Sequence, residues 1–136
     1  MRPPRTDAEL LADGVGQQCI ARRVRRLSRQ ITRIYDDAMR PIGLTVAQFG
    51  MLSGMIRVGV TSPAAVGRML DLEKSTVSRN LARMVEHGWV SSEAGLRGVE
   101  LKVLPAGRRM FERAHPAWES AQTEAAELMK TEAKAR

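Results

Sequence analysis

The 136-residue sequence is poor in aromatic side chains, which make up 4% of it, and it has one cysteine, Cys19. A lone cysteine forms no intrachain disulfide, so the fold is not built on bridges and an intracellular compartment is the default expectation. Hydrophobic residues reach 43%, mostly as Ala, Leu, Val and Met, which argues for packed helices over a β sandwich. No apolar run approaches the roughly 20 residues a membrane-spanning helix needs. The N-terminal MRPPRTDAEL also lacks the apolar core of a signal peptide, so a cytoplasmic protein of one domain, residues 1–136, is expected. His87 and His115 have no metal-ligand spacing with Cys19, no glycine-rich phosphate loop is present, and no nucleophile is followed by a recognisable partner. No metal, cofactor or enzymatic activity is expected.

Positive charge is in excess, with 22 Lys and Arg against 15 Asp and Glu. The net charge of +7 favours an anionic partner, either nucleic acid or an acidic membrane surface. Its distribution is uneven: residues 1–40 hold nine basic and five acidic groups, residues 62–103 six and five. Ile20, Val24, Leu27, Ile31, Ile34 and Ala38 follow one another at alternating spacings of four and three, which is one stripe along a helix. Arg22, Arg23, Arg25, Arg26, Arg29 and Arg33 fall largely off that stripe. A basic face of this kind is most often only solvated, and it is assigned no base contact.

Pro41 and Gly43 end that helix. Thr45 with Gln48 has the form of a capping box and opens a helix of about 45–57. Ser62 followed by Pro63 reads as an N-cap and N1 proline, starting a short helix with Val66, Met69 and Leu70 on its buried side. Asp71 and Leu72 link it tightly to a helix of about 73–87, and Gly88 is placed to take the left-handed conformation past its end. A strand begins at Trp89 to Ser91, EAGLRG over 93–98 has turn composition, and Val99, Leu101 and Val103 alternate as a half-buried strand does. A long final helix from Pro105 carries the stripe Phe111, Ala114, Trp118, Ala121, Ala125 and Leu128, with Pro116 expected to bend it.

A short helix, a tight turn, a helix with small polar and basic residues outside, and then a hairpin is the order of a winged helix-turn-helix. Burying Val77, Leu81, Met84 and Val85 turns Lys74, Ser75, Thr76, Ser78, Arg79 and Arg83 partly or wholly outward. Arg presents paired donors that match guanine O6 and N7, while Ser and Thr serve bases or phosphates. Amides at the starts of the 63–70 and 73–87 helices suit phosphate oxygens. Standing alone, such a face would more often be merely solvated; the order of the elements around it reverses that preference.

The stretch TSPAAVGRMLDLEKSTVSRNLARMVEHGWV resembles the helix-turn-helix core of the MarR family of bacterial transcription regulators. GLTVAQFGML is similar to the helix that precedes that core, VLPAGRRMFERAHPAWESA to the start of the family's long C-terminal helix, and CIARRVRRLSRQITRIYDDAMRPIGLT to its first helix. The resemblance covers about residues 10–129. It implies a mostly α fold with a small β hairpin: a winged helix-turn-helix at 45–103 between N- and C-terminal dimerisation helices at 10–40 and 105–130. It further implies a homodimeric regulator, commonly a repressor, on a pseudo-palindromic operator in double-stranded DNA. Ser75, Thr76, Ser78 and Arg79 match the base-reading and phosphate-contacting positions, Arg97 matches the wing arginine, and Ser62 is a phosphate contact. Lys74 and Arg83 extend the same face. The wing carries Gly95 where family wings often carry Asp, and the chain ends soon after Met129.

By the same resemblance, a small aromatic or phenolic effector would bind near Tyr35, Phe49 and Met55 and release the DNA, although all three also suit a core. Two alternatives stand beside this reading. One is a winged-helix protein-interaction module that does not read DNA; the other is a thiol-based redox regulator using Cys19, whose reactivity would need a depressed pKa. A lone cysteine is more commonly a small buried hydrophobe.

Overall fold

The structure is a computed structural model, and it describes residues 1–135. The chain divides into two compact units, Met1–Arg33 and the remainder from Ile34. In the first, helix α1 (Asp7–Gln18) opens on a capping box: the Glu9 amide donates to Thr6 Oγ1 at 3.2 Å and the Thr6 amide to Glu9 Oε2 at 2.7 Å. No residue of α1 is buried. Helix α2 (Ile20–Met39) follows at once, because Cys19 takes an extended ψ of 108° that interrupts the helical path. The helix expected from the Ile20 stripe to Pro41 is α2, and a separate helix, α1, precedes it with a break at Cys19.

In the second unit, α2 ends in a 3-10 turn, Arg40–Ile42, closed by Gly43. Asp36 Oδ1 accepts the Val46 amide at 2.7 Å, which fixes the corner into α3 (Val46–Val58). The predicted capping box is present at 3.2 Å in both directions between Thr45 and Gln48, so the buried Gln48 side chain is satisfied. Helices α4 (Pro63–Leu70) and α5 (Lys74–Glu86) are joined through Asp71, a non-glycine residue at φ 52°. Beyond α5, Gly88 takes φ 76° and the chain enters the antiparallel hairpin β1 (Val90–Gly95) and β2 (Gly98–Val103). Helix α6 (Pro105–Lys134) runs through Pro116.

The core is built by α3, which packs on α4, α5, α6 and β2. Met51, Leu52 and Met55 meet Val66, Val77, Leu81, Met84, Val90 and Leu101 there. Three of the five Phe, Trp and Tyr residues meet at one place, with Phe49 stacked on Phe111 at a centroid distance of 4.8 Å and on Trp118 at 6.1 Å. Offset stacks of this kind add roughly 0.5–1.5 kcal/mol beyond their burial.

Four local expectations are corrected. Val85 is 40% exposed, since it lies at the edge of the Val77–Leu81–Met84 stripe. Met69 is 39% exposed, because it flanks the α4 stripe and lies over Gly54. Glu93, Ala94 and Gly95 are strand residues, leaving a two-residue turn at Leu96 and Arg97. The final helix continues past 130 to Lys134, as its good helix formers Lys, Glu and Ala permit.

Candidate nucleic-acid interface

Ser62 caps α4: its Oγ accepts the Ala65 amide at 3.2 Å. A hydroxyl has one donor and two lone pairs, so Ser62 Oγ retains its own proton for an outside acceptor. Helix α5 starts differently. Glu73 is its N-cap residue and makes no side-chain cap bond, so the first-turn amides have no capping oxygen. An uncapped helix start presents donors and the positive end of the helix dipole to an anion.

Three α5 side chains anchor the helix: Val77, Leu81 and Met84 are buried. Their spacing leaves Lys74, Ser75, Ser78, Arg79 and Arg83 exposed and Thr76 half-buried. Thr76 also uses its carbonyl, which accepts Asn80 Nδ2 at 2.9 Å. No carboxylate pairs with Lys74, Arg79, Arg83 or Arg97 among the described residues. At the far end of α5 His87 is the C-cap and stacks on Trp89 at 4.5 Å.

An open cleft of about 900 Å³ lies where the start of α4, the α4–α5 turn, the start of α5 and the hairpin meet. Ser62, Lys74, Ser78 and Arg97 line it together with Arg68 and Val99. Four of the residues singled out in the sequence thus share one concavity. Arg68 was missed, because its position on the short α4 gave no periodic signal separating it from an ordinary solvated arginine. Ser75, Thr76, Arg79 and Arg83 lie elsewhere on α5, so cleft and helix face are adjoining surfaces.

The chain is similar to known regulators. A family model described as MarR family matches residues 42–98. The transcriptional regulator MosR of M. tuberculosis, solved in complex with DNA, is 30% identical with a TM-score of 0.72, over 79% of this chain and 84% of that one. The chain belongs to the MarR family. Among its MarR-family relatives, the multiple antibiotic resistance protein MarR of Escherichia coli is 24% identical over 99 residues, 71% of this chain and 69% of that protein. Bordetella bronchiseptica BpsR, whose DNA binding is regulated by 6-hydroxynicotinic acid, shares the fold at a TM-score of 0.72 and 21% identity, over 91% of this chain and 85% of that one. Winged helix-turn-helix architecture, mostly helical with one hairpin, is therefore this MarR-family chain's fold.

The remaining candidates are dispersed. Phe49 and Met55 are buried in the core. Tyr35 is half-buried, its hydroxyl donates to Gln122 Oε1, and burial pushes its phenol above the ordinary tyrosine range. None of the three lines the cleft. Cys19 is a partly exposed free thiol at the α1–α2 break. Among the described residues no group of three or more His, Cys, Asp or Glu is placed to hold a metal, and no helix is long and apolar enough to cross a membrane.

Gly95 stands at the wing position where the resemblance leads one to expect aspartate. A Cβ there would meet the side chain of Glu100, its diagonal neighbour across the hairpin, which is flexible enough to move aside. A carboxylate thus lies beside that place, at the base of the turn that holds Arg97.

Proposed function

We propose that the protein is a DNA-binding transcription regulator that reads double-stranded operator DNA with the exposed face of α5. The observation that carries the reading is the anchoring of α5 by Val77, Leu81 and Met84, which leaves Ser75, Ser78 and Arg79 outside on an uncapped helix start. An α-helix fits the major groove, and Arg79 supplies the paired donors that guanine accepts. Thr76, Lys74 and Arg83 flank that contact. Ser62 and the first-turn amides of α5 hold phosphates, and Arg97 reaches the backbone or minor groove from the wing.

In this reading the active form is a homodimer. Leu10, Leu11, Val15, Ile20 and Val24 are exposed apolar side chains of α1 and α2, and Met129 is one on α6. Apolar surface of this kind marks interaction sites when it is contiguous. Two-fold symmetry then calls for a pseudo-palindromic operator with half-sites about one helical turn apart. Binding near a promoter gives repression. Release by a small aromatic or phenolic molecule would act at Tyr35 and would have to open the Phe49–Phe111 stack, since Phe49 and Met55 are closed in the core. Such a ligand shifts DNA affinity only if it binds the two head spacings unequally.

The test is operator binding by Arg79→Ala beside Arg97→Ala. Arg79→Ala is expected to cost about 1–3 kcal/mol of specific binding and to relax base preference, while Arg97→Ala weakens binding evenly across sequences. Unchanged affinity and preference in Arg79→Ala would remove α5 as the reading face.

A further inference from the structure

The strongest charge in the molecule is not at the reading head. Residues 1–33 hold eight basic and three acidic side chains, so five of the seven net positive charges lie there. From Gly14 to Tyr35 there is no Asp or Glu at all, against six arginines. Arg22, Arg26, Arg29 and Arg33 recur on α2 at spacings of four, three and four, with Arg25 beside them. At 100° per residue this row stands opposite Ile20, Val24, Leu27 and Ile31, and it is about 16 Å long.

Each of these arginines is exposed, and none of Arg22, Arg25, Arg26, Arg29 or Arg33 has a carboxylate partner among the described residues. A solvated helix face normally mixes both signs at i,i+4, because like charges at that spacing destabilise the helix. Among the described residues no carboxylate relieves this repulsion, and an anion from outside would do so. Guanidinium stays charged at any working pH and pairs bidentately with phosphate oxygens.

We propose that the α2 arginine row is a second, sequence-independent binding surface for the phosphate backbone of duplex DNA. It shares its partner with the proposed reading head but none of its residues, so either can fail alone. The geometry disfavours a lipid surface. A helix lying in a bilayer interface buries its apolar side, and that would turn this arginine row away from the headgroups. Residues 1–33 also contain no aromatic side chain to anchor at such an interface. Because it contacts phosphates alone, the row holds any duplex and raises the local concentration of DNA around the protein.

The experiment titrates the full chain against a short duplex of scrambled sequence over a range of salt concentrations. The quadruple variant Arg22→Gln, Arg26→Gln, Arg29→Gln, Arg33→Gln keeps helix propensity and removes the charge. Each lost phosphate contact lowers the salt slope by about 0.9, so a drop of about 3–4 is expected, with at least a tenfold loss of non-specific affinity at low salt. The matching Arg→Lys variant keeps most of the slope, and Arg79→Ala retains the row's share of it while losing operator preference. A Gln variant with unchanged slope and unchanged helix content overturns the proposal. So does loss of binding to phosphatidylserine vesicles, or to a polyglutamate peptide, with duplex binding intact. Should the quadruple variant unfold, the milder pair Arg22→Gln, Arg29→Gln decides: a slope lowered by about 2 supports the surface, and an unchanged one overturns it.

Discussion

Thr61 and Leu101 exchange two backbone hydrogen bonds, the Thr61 amide donating to the Leu101 carbonyl at 3.0 Å and the Leu101 amide to the Thr61 carbonyl at 2.8 Å. This isolated bridge ties the residue just before the α4 cap to the buried side of the wing, where Leu101 is 1% exposed. It explains how Ser62 and Arg97, far apart in sequence, come to line one cleft. The wing is positioned by backbone pairing, so its tip can vary without moving its base.

Replacing the donor tests that coupling. Thr61→Pro deletes the Thr61 amide and leaves the buried Leu101 carbonyl short of a partner, at an expected cost of about 1–3 kcal/mol. Operator affinity should fall with it, because Arg97 is no longer held at a fixed distance from Ser62. Urea unfolding and gel-shift titration measure the two effects. A variant with wild-type stability would show that the bridge contributes nothing.

Much of this arrangement was legible in the sequence because its determinants are local. Caps at Thr45 and Ser62, the turn glycine at Gly88 and the α5 stripe are each decided within one helical turn. What escaped was decided by neighbours distant in sequence or by an ambiguous pattern. Helix α1 begins with a Thr6–Glu9 capping box that a local reading could have used, but Gly14 and Gly16 weaken the helical signal and Leu10, Leu11 and Val15 make no clean stripe. The cleft was invisible in the sequence, since it depends on the Thr61–Leu101 bridge. Arg68 joins the site only through that geometry.

Close packing at the base of the wing gives a second test. The Trp89 carbonyl accepts the Leu104 amide at 2.8 Å, and α6 begins immediately against it. A Cβ on Gly107 would run into that carbonyl and come within 2.8 Å of Val103 Cγ1. Backbone cannot swing aside as a flexible side chain can. Gly107→Ala is therefore expected to destabilise the fold by about 1–3 kcal/mol through overpacking, read as a lowered urea midpoint. A midpoint equal to the wild type would mean that α6 shifts freely.

Tyr35 supplies a pH dependence whose sign follows from burial. Desolvation holds its phenol protonated to higher pH than in the unfolded chain, where tyrosine titrates near about 10. The native state then binds more protons than the unfolded state, so this contribution is complete below about pH 10 and is lost as pH rises through the raised native value. Tyr35→Phe removes that titration together with the hydrogen bond to Gln122, which is worth about 0.5–1.5 kcal/mol. The stability difference between the two proteins should be constant from neutral pH to about 9 and shrink above about 10. Parallel curves across that range would exclude Tyr35 as the titrating group.

Ser62 allows its structural and DNA-binding roles to be separated by sign. Its hydroxyl caps α4 by accepting the Ala65 amide, so Ser62→Ala should cost about 0.5–2 kcal/mol of stability. Asp caps as well as Ser and favours the helix dipole, so Ser62→Asp should fold with stability at or slightly above the wild type. A phosphate held at the same helix start would be repelled by the new carboxylate. Operator affinity is accordingly expected to fall at least tenfold in Ser62→Asp, the opposite direction to its stability. If Ser62→Asp binds operator as tightly as the wild type, no phosphate sits at the start of α4, and the DNA contacts must be drawn from α5 and the wing alone.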